Sequence, residues 1–249
     1  MNALAMEFYK SRRRKIILVG LGLLAVQLLW TLWGTSNMDA RDLETGWLYF
    51  LYQMPLLNSI MLPVVVAVIS SRLCDVEHKG HTFHVLKTIL PAGKLFDVKL
   101  IVSTLILAII IGLQVVMLVI AGLYFGFTGP IPFGKLLVYL LVSLLINMGV
   151  LSLQQTLSLL FPNQMIALTV GLFGSFVGLF SLFFPQGIQK FYIWGYFGIL
   201  MQVGMNWDPQ TRIMDLFYTP LEWQSFLLLA IHLFAIYFVG RFLFVRKEI

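Results

Sequence analysis

A chain of 249 residues that is 59% hydrophobic and 11% charged, with mean hydropathy of +0.90, cannot hide its apolar surface from water as a soluble domain. It is read as one polytopic membrane domain, 1–249, with no stretch long enough for a separate soluble domain. The net charge of +6 would fit nucleic acid in a soluble protein, but in so apolar a chain it marks cytoplasmic loops; the lone Cys74 excludes an internal disulfide framework.

Residues 1–15 form a basic amphipathic N-terminus with Lys10, Arg12, Arg13, Arg14 and Lys15 directly before an apolar run. That resembles the start of a signal peptide. The run is too long for a signal h-region and no small-x-small cleavage site follows, so it is read as an uncleaved anchor. A hydrocarbon core of about 30 Å needs roughly 20 apolar residues per helix. Six segments qualify: Ile16–Trp33, Phe50–Ser71, Val98–Phe125, Leu136–Phe161, Met165–Phe184 and Trp223–Val245. The fold class expected is therefore an all-α polytopic membrane protein with six transmembrane helices.

Basic residues fix the orientation expected. With the N-terminus inside, thirteen of the 17 lysines and arginines fall on the cytoplasmic side, and four (Arg41, Lys135, Lys190 and Arg212) fall outside. This places both termini in the cytoplasm of a bacterial plasma membrane. The apolar stretch 191–207 would break that count as a seventh span, and Gly195, Gly198 and Gly204 interrupt it. Within an outer-face segment, 185–222, it is read as a re-entrant or interfacial pair of short helices with Tyr192, Trp194 and Tyr196 at headgroup level.

Two motifs fail on physical grounds. Gly129–Lys135 matches the opening of a P-loop, but Leu136 stands where a magnesium-binding hydroxyl is needed. Pro130 and Pro132 also remove amides that would cradle phosphate. Any nucleotide-hydrolysing site must lie in another chain. His78, His81 and His84 lie near Cys74, Asp75 and Glu77, but Gly80 interrupts their spacing and no second ligand pair accompanies them, so no metal site is assigned. No catalytic pair is visible, and the chain is not read as an enzyme.

The spans carry amides rather than acids. Asn58, Gln114, Asn147, Gln154 and Gln155 are candidates to line a substrate route, with interhelical hydrogen bonding as the alternative reading. Gly171, Gly174 and Gly178 make a small-residue face that permits close packing within the chain or between chains.

The segment 73–99 is the long polar passage assigned to the cytoplasm. The second span runs on to Glu77, and Gly80 is expected to end it in a left-handed cap. Thr82–Ile89 forms a short amphipathic helix with Phe83, Leu86 and Ile89 (or Leu90) on one side. Pro91 stops it and Gly93 permits reversal into the third span. A hinged bracket of this kind transmits motion from a docked partner to two spans at once.

The run Glu77-x-x-Gly80-x-Thr82, followed by Leu86, Pro91, a basic Lys94 and Lys99 opening the next span, resembles the first cytoplasmic loop of ABC transporter permeases of the ABC-2 type. The topology is similar throughout the chain. The length and the wording EHKGHTFHVLKTILPAGKLF look most like permease subunits of lantibiotic-immunity and related antimicrobial-peptide exporters. Those permeases often carry Arg where Lys94 stands, and the substitution keeps the charge. The resemblance implies a second permease chain, identical or different, and a separate cytoplasmic ATPase that binds ATP and Mg. It implies that Thr82–Ile89 is the coupling helix and that Glu77, Lys94 and Lys99 fix the bracket through charge pairs. The implied cargo is an amphiphilic peptide taken from the membrane. A drug, ion or lipid-linked glycan permease is the alternative, as is a membrane sensor or assembly component that transports nothing.

Overall fold

The computed structural model describes residues 3–36, 38–80, 82–210 and 214–247. His81 and Arg212, and the side chains of Arg13 and His84, fall outside that description. Among the described residues, six helices are long and apolar enough to cross a membrane: α2 (Ile16–Thr35), α4 (Gly46–Lys79), α6 (Ala92–Phe125), α7 (Phe133–Leu160), α8 (Gln164–Ser181) and α11 (Trp223–Arg246). Each overlaps one of the six segments assigned from hydropathy. Between them lie α1 (Ala3–Arg13), α3 (Ala40–Glu44), α5 (Phe83–Ile89), α9 (Gln186–Gln189) and α10 (Tyr196–Ile199).

Helices α4 and α6 each have 34 residues and extend well beyond the spans read from apolar runs. At 1.5 Å per residue each is about 50 Å long, against a hydrocarbon core of about 30 Å. Their polar ends are helical because the two helices supply partners for each other's charges outside the apolar layer. Lys15, with φ of 52°, makes the corner between α1 and α2. There α1, which shows Leu4, Phe8 and Tyr9 on its exposed side, departs from the bundle axis as an amphipathic surface helix.

The core divides into clusters along the bundle. At its middle Leu62, Val66, Leu107, Ile111, Ile146 and Val150 pack with Tyr196 and Phe197. At one end Trp47, Phe50 and Phe127 form edge-to-face aromatic contacts, with ring centroids 4.7–6.5 Å apart. The other end holds Phe83, Phe96, Leu159 and Phe244.

The structure departs from the sequence reading in the outer-face segment and at Gly80. The short helices expected over 191–207 occupy only the first half of the stretch. A 3-10 turn (Ile193–Gly195) and α10 are followed by strand β1 (Val203–Trp207), which pairs antiparallel with β2 (Met214–Tyr218). The hairpin signal was present, since alternation in Val203–Trp207 and Met214–Tyr218 flanks Asp208-Pro209, a turn dipeptide. Tyr196 is fully buried, not at headgroup level, and its hydroxyl donates to the Lys190 carbonyl at 3.2 Å. Gly80 does end α4, but with φ of −83° it is right-handed. Its amide reaches the Val76 carbonyl at 3.0 Å and the Thr82 amide reaches that of Glu77 at 3.2 Å, so the last turn widens without a left-handed residue.

Candidate functional site

The 73–99 segment is built around a buried charge cluster. Lys99 lies two turns into α6 on its inner face, and Glu77 stands in the last turn of α4 opposite it. Lys99 Nζ donates to Glu77 Oε1 at 2.9 Å, to Glu7 Oε2 at 3.0 Å and to the Leu73 carbonyl at 2.9 Å. An ammonium group has three donors, and all three are satisfied. That compensation is what allows a lysine to be wholly buried, since stripping water from an unpaired ion costs several kcal/mol. Lys10 bridges Glu7 at 2.7 Å and Glu77 at 3.0 Å. Burial pushes the Glu7 carboxyl toward a higher pKa, but the Lys99 and Lys10 ammonium groups outweigh it and hold the group below its ordinary value.

Sequence reasoning missed Glu7. The signal available was that Glu7 is the only acidic residue before Asp39, and that it sits on the first turns of a basic amphipathic helix. Through it α1 is pinned to the bases of α4 and α6. Lys94 does not join the cluster: its side chain is exposed, one turn before Lys99 on the outer side of α6.

Helix α5 lies across the gap between α4 and α6. Phe83 and Leu86 point inward against Cys74, Leu95, Phe96, Leu159 and Phe244. His78 meets the Phe83 ring edge-on, with centroids 4.8 Å apart. Ile89 does not share that face; it is 71% exposed beside exposed Thr88, Pro91 and Lys94. At 100° per residue, positions 83 and 86 stay close while 89 rotates away, and Leu90 is the partly buried alternative. Thr82 precedes the helix without a side-chain cap. The apolar side of α5 therefore binds it to its own chain, and its outward tip is Thr88, Ile89, Pro91 and Lys94.

The other helices are tied to the same platform. Asp97 accepts from the Tyr237 hydroxyl at 2.7 Å and from Arg241 Nε at 3.0 Å, and Gly93 leaves room for the Arg241 guanidinium over the first turn of α6. His78 Nε2 donates to the Ser158 carbonyl at 2.9 Å, and Lys247 Nζ donates to the carbonyls of Leu159 and Leu160 at 3.1 and 2.8 Å. The last of these interactions satisfy the free carbonyls at the end of α7, where cations are favoured. These contacts join the platform under α5 to α4, α6, α7 and α11. Among the described residues, no three His, Cys, Asp or Glu side chains gather as a metal site.

The five candidate route amides separate into different settings. Asn58 and Gln114 join Gln27 and Tyr139 in one buried ring that links α2, α4, α6 and α7. Gln27 Nε2 donates to Asn58 Oδ1 at 2.8 Å, Asn58 Nδ2 to Gln114 Oε1 at 3.1 Å, and Gln114 Nε2 to Gln27 Oε1 at 2.7 Å. The Tyr139 hydroxyl donates to Gln114 Oε1 at 2.8 Å and accepts from Asn58 Nδ2 at 2.5 Å. A cavity beside the ring measures about 10 Å³, enough for one water. Asn147 donates only to the Ser143 carbonyl of its own helix, at 2.8 Å, and Gln155 to the Phe96 carbonyl of α6, at 2.9 Å. Gln154, oriented to satisfy its amide, donates to the Ala167 carbonyl at 2.8 Å and accepts from the Gly171 amide at 3.0 Å.

The glycine face of α8 packs within the chain. Gly171 lies against Ala67 of α4 and Gln154 of α7, Gly174 takes the Trp194 indole, and Gly178 faces the Trp194 backbone and the Ser59 carbonyl. A methyl group at Gly174 would overlap the indole ring. These contacts hold the turn Ile193–Gly195 in the bundle.

Residues 3–178 match the family model described as "ABC-2 family transporter protein". No curated protein and no solved structure matches the chain.

Proposed function

The chain belongs to the ABC-2 family of transporter proteins, and from that premise we propose that this multi-pass membrane permease subunit works in an ATP-driven exporter of lantibiotic-like antimicrobial peptides. The observation that carries the coupling role is the exposed tip of α5, Thr88 and Ile89 with Pro91 and Lys94, on a platform whose inner side is locked by the Glu77–Lys99 pair. In this reading a cytoplasmic ATPase chain receives the tip and binds the ATP and Mg that this chain lacks motifs to hold. A second permease chain completes the membrane part. Both termini and α5 lie in the cytoplasm, and the β-hairpin lies outside.

The mechanism is mechanical. Closure of the ATPase pair displaces α5. Because Phe83 and Leu86 are packed into the bundle, α5 does not slide over its own chain, and the displacement passes to α4 and α6 as rigid bodies. The buried cluster keeps the bases of those helices and α1 moving as one block. A peptide drawn from the outer leaflet is released outward when the helices tilt.

The test is reconstitution of the chain with the ATPase and permease encoded beside it. The expected result is ATP hydrolysis that a lantibiotic stimulates, and lower peptide accumulation on cells that express the complex. Failure of any ATPase chain to co-purify in mild detergent would contradict the reading.

A further inference from the structure

We propose that the cleft between the β-hairpin and α3 binds a cationic amphiphilic peptide. The hairpin has one wholly apolar face. Its register pairs Val203 with Tyr218, Met205 with Leu216 and Trp207 with Met214, and alternate residues of a strand share a face. Val203 at the base is buried, whereas Trp207 at the far end is 54% exposed and Met214 39% exposed. The base of this face packs on the Trp47–Phe50 cluster through Val203 and Leu216, and the far end is left open, as exposed apolar patches at binding sites are.

That face forms one wall of a cleft of about 520 Å³, within the size range of small-ligand sites. Met214 and Leu216 line the cleft together with Met38 and Tyr49. The other wall is acidic: Asp39 and Asp42 line it at the first turn of α3, where the Asp39 amide donates to Asp42 Oδ2 at 3.2 Å. Among the described residues neither carboxylate has an ion-pair partner. Arg41 instead lies 4.0 Å from Asp215 at the mouth, so those two charges offset each other. Each carboxylate accepts a backbone N–H of the other residue in a capping box, and neither meets a cation, so two negative charges face an apolar wall across a space that fits a few side chains. A peptide segment with alternating cationic and apolar side chains matches both walls. This site rests on the peptide-export reading, for which it supplies the place of capture.

The test uses the purified chain in phosphatidylcholine nanodiscs, without any ATPase, and a fluorescein-labelled synthetic peptide of alternating lysine and leucine. The signal from empty discs is subtracted. The expected result is saturable binding that weakens about tenfold or more in D39N/D42N and when the peptide's lysines are replaced by glutamine. Asn still caps a helix, so the double variant keeps the α3 turn. Met214→Lys, on a partly exposed wall position, should weaken binding to a similar extent by repulsion. Equal binding by the variants or by the glutamine peptide, or no saturable binding above empty discs, would overturn the site. If peptide-stimulated ATP hydrolysis by the full complex survives that outcome, only the site fails; if it is absent as well, the export reading falls with it.

Discussion

Lys99 and Glu77 meet at 2.9 Å with the lysine fully buried and the glutamate 1% exposed, 22 residues apart across the α4–α5–α6 turn. Glu7 shares the same ammonium group from the N-terminal helix. The pair closes the base of the bracket.

Lys99→Met removes the fully buried one of the two cations that Glu7 and Glu77 share, leaving only the part-exposed Lys10 between them. Breaking a buried pair in this way costs about 3–5 kcal/mol, whereas a fully neutral replacement can be tolerated. Thermal unfolding in detergent should show a large loss for K99M and recovery of most of it in K99M/E7Q/E77Q. An unchanged melting temperature in K99M would show that the cluster is not structural.

The Glu7 carboxyl has a lowered pKa, so its ionised form contributes stability fully above its unfolded value of 4.5 and loses it as pH falls through the lower folded value. Attachment of α1 to α6 should be constant from neutral pH down to about 5 and weaken only in more acid solution. Hydrogen exchange of the α1 amides checks this, with E7Q as the variant in which the acid-dependent step disappears. Release of α1 near neutral pH would contradict the assignment.

Gly174→Ala places a methyl group into the Trp194 indole. Overpacking of this kind costs about 1–3 kcal/mol. Trp194→Ala should suppress part of that cost in the double variant, a coupling that a double-mutant cycle reads directly. If G174A changed oligomeric state and left monomer stability alone, the glycine face would serve contacts between chains instead.

Asn58 bonds three side chains on three other helices, whereas Asn147 bonds its own helix and leaves its Oδ1 buried without a partner. Asn58→Leu should therefore cost about 1–2 kcal/mol, the scale of hydrogen bonds between membrane helices. Asn147→Leu removes an unsatisfied atom and should be close to neutral or stabilising. Chemical unfolding of the two variants gives the comparison; equal losses would mean that the ring is not the helix clasp its geometry describes.

The spans were legible because the bilayer demands about 20 apolar residues, a signal that no tertiary contact overrides. The bracket between α4 and α6 was legible from Gly80 and Pro91. What the sequence concealed were relationships across distance. Nothing local in Glu7 shows that it reaches a residue 92 positions later. Ile89 was grouped with Phe83 and Leu86 because seven residues fit an amphipathic pattern in more than one way, and packing against Phe96 and Phe244 decided which way the helix faced. The hairpin was concealed by Gly204, which reads as a breaker. In the structure the Phe217 ring covers the space a side chain would occupy there, as aromatic residues do beside strand glycines.

The central claim is that the exposed tip of α5 is the seat of an ATPase. A photo-crosslinking amino acid placed at position 89 of the reconstituted complex tests it most directly, with position 207 on the hairpin as the opposite-end control. The account predicts that the ATPase chain is captured from position 89, identified by mass spectrometry, and not from 207. Capture from 207, or from neither position while the complex still hydrolyses ATP in response to peptide, would contradict it.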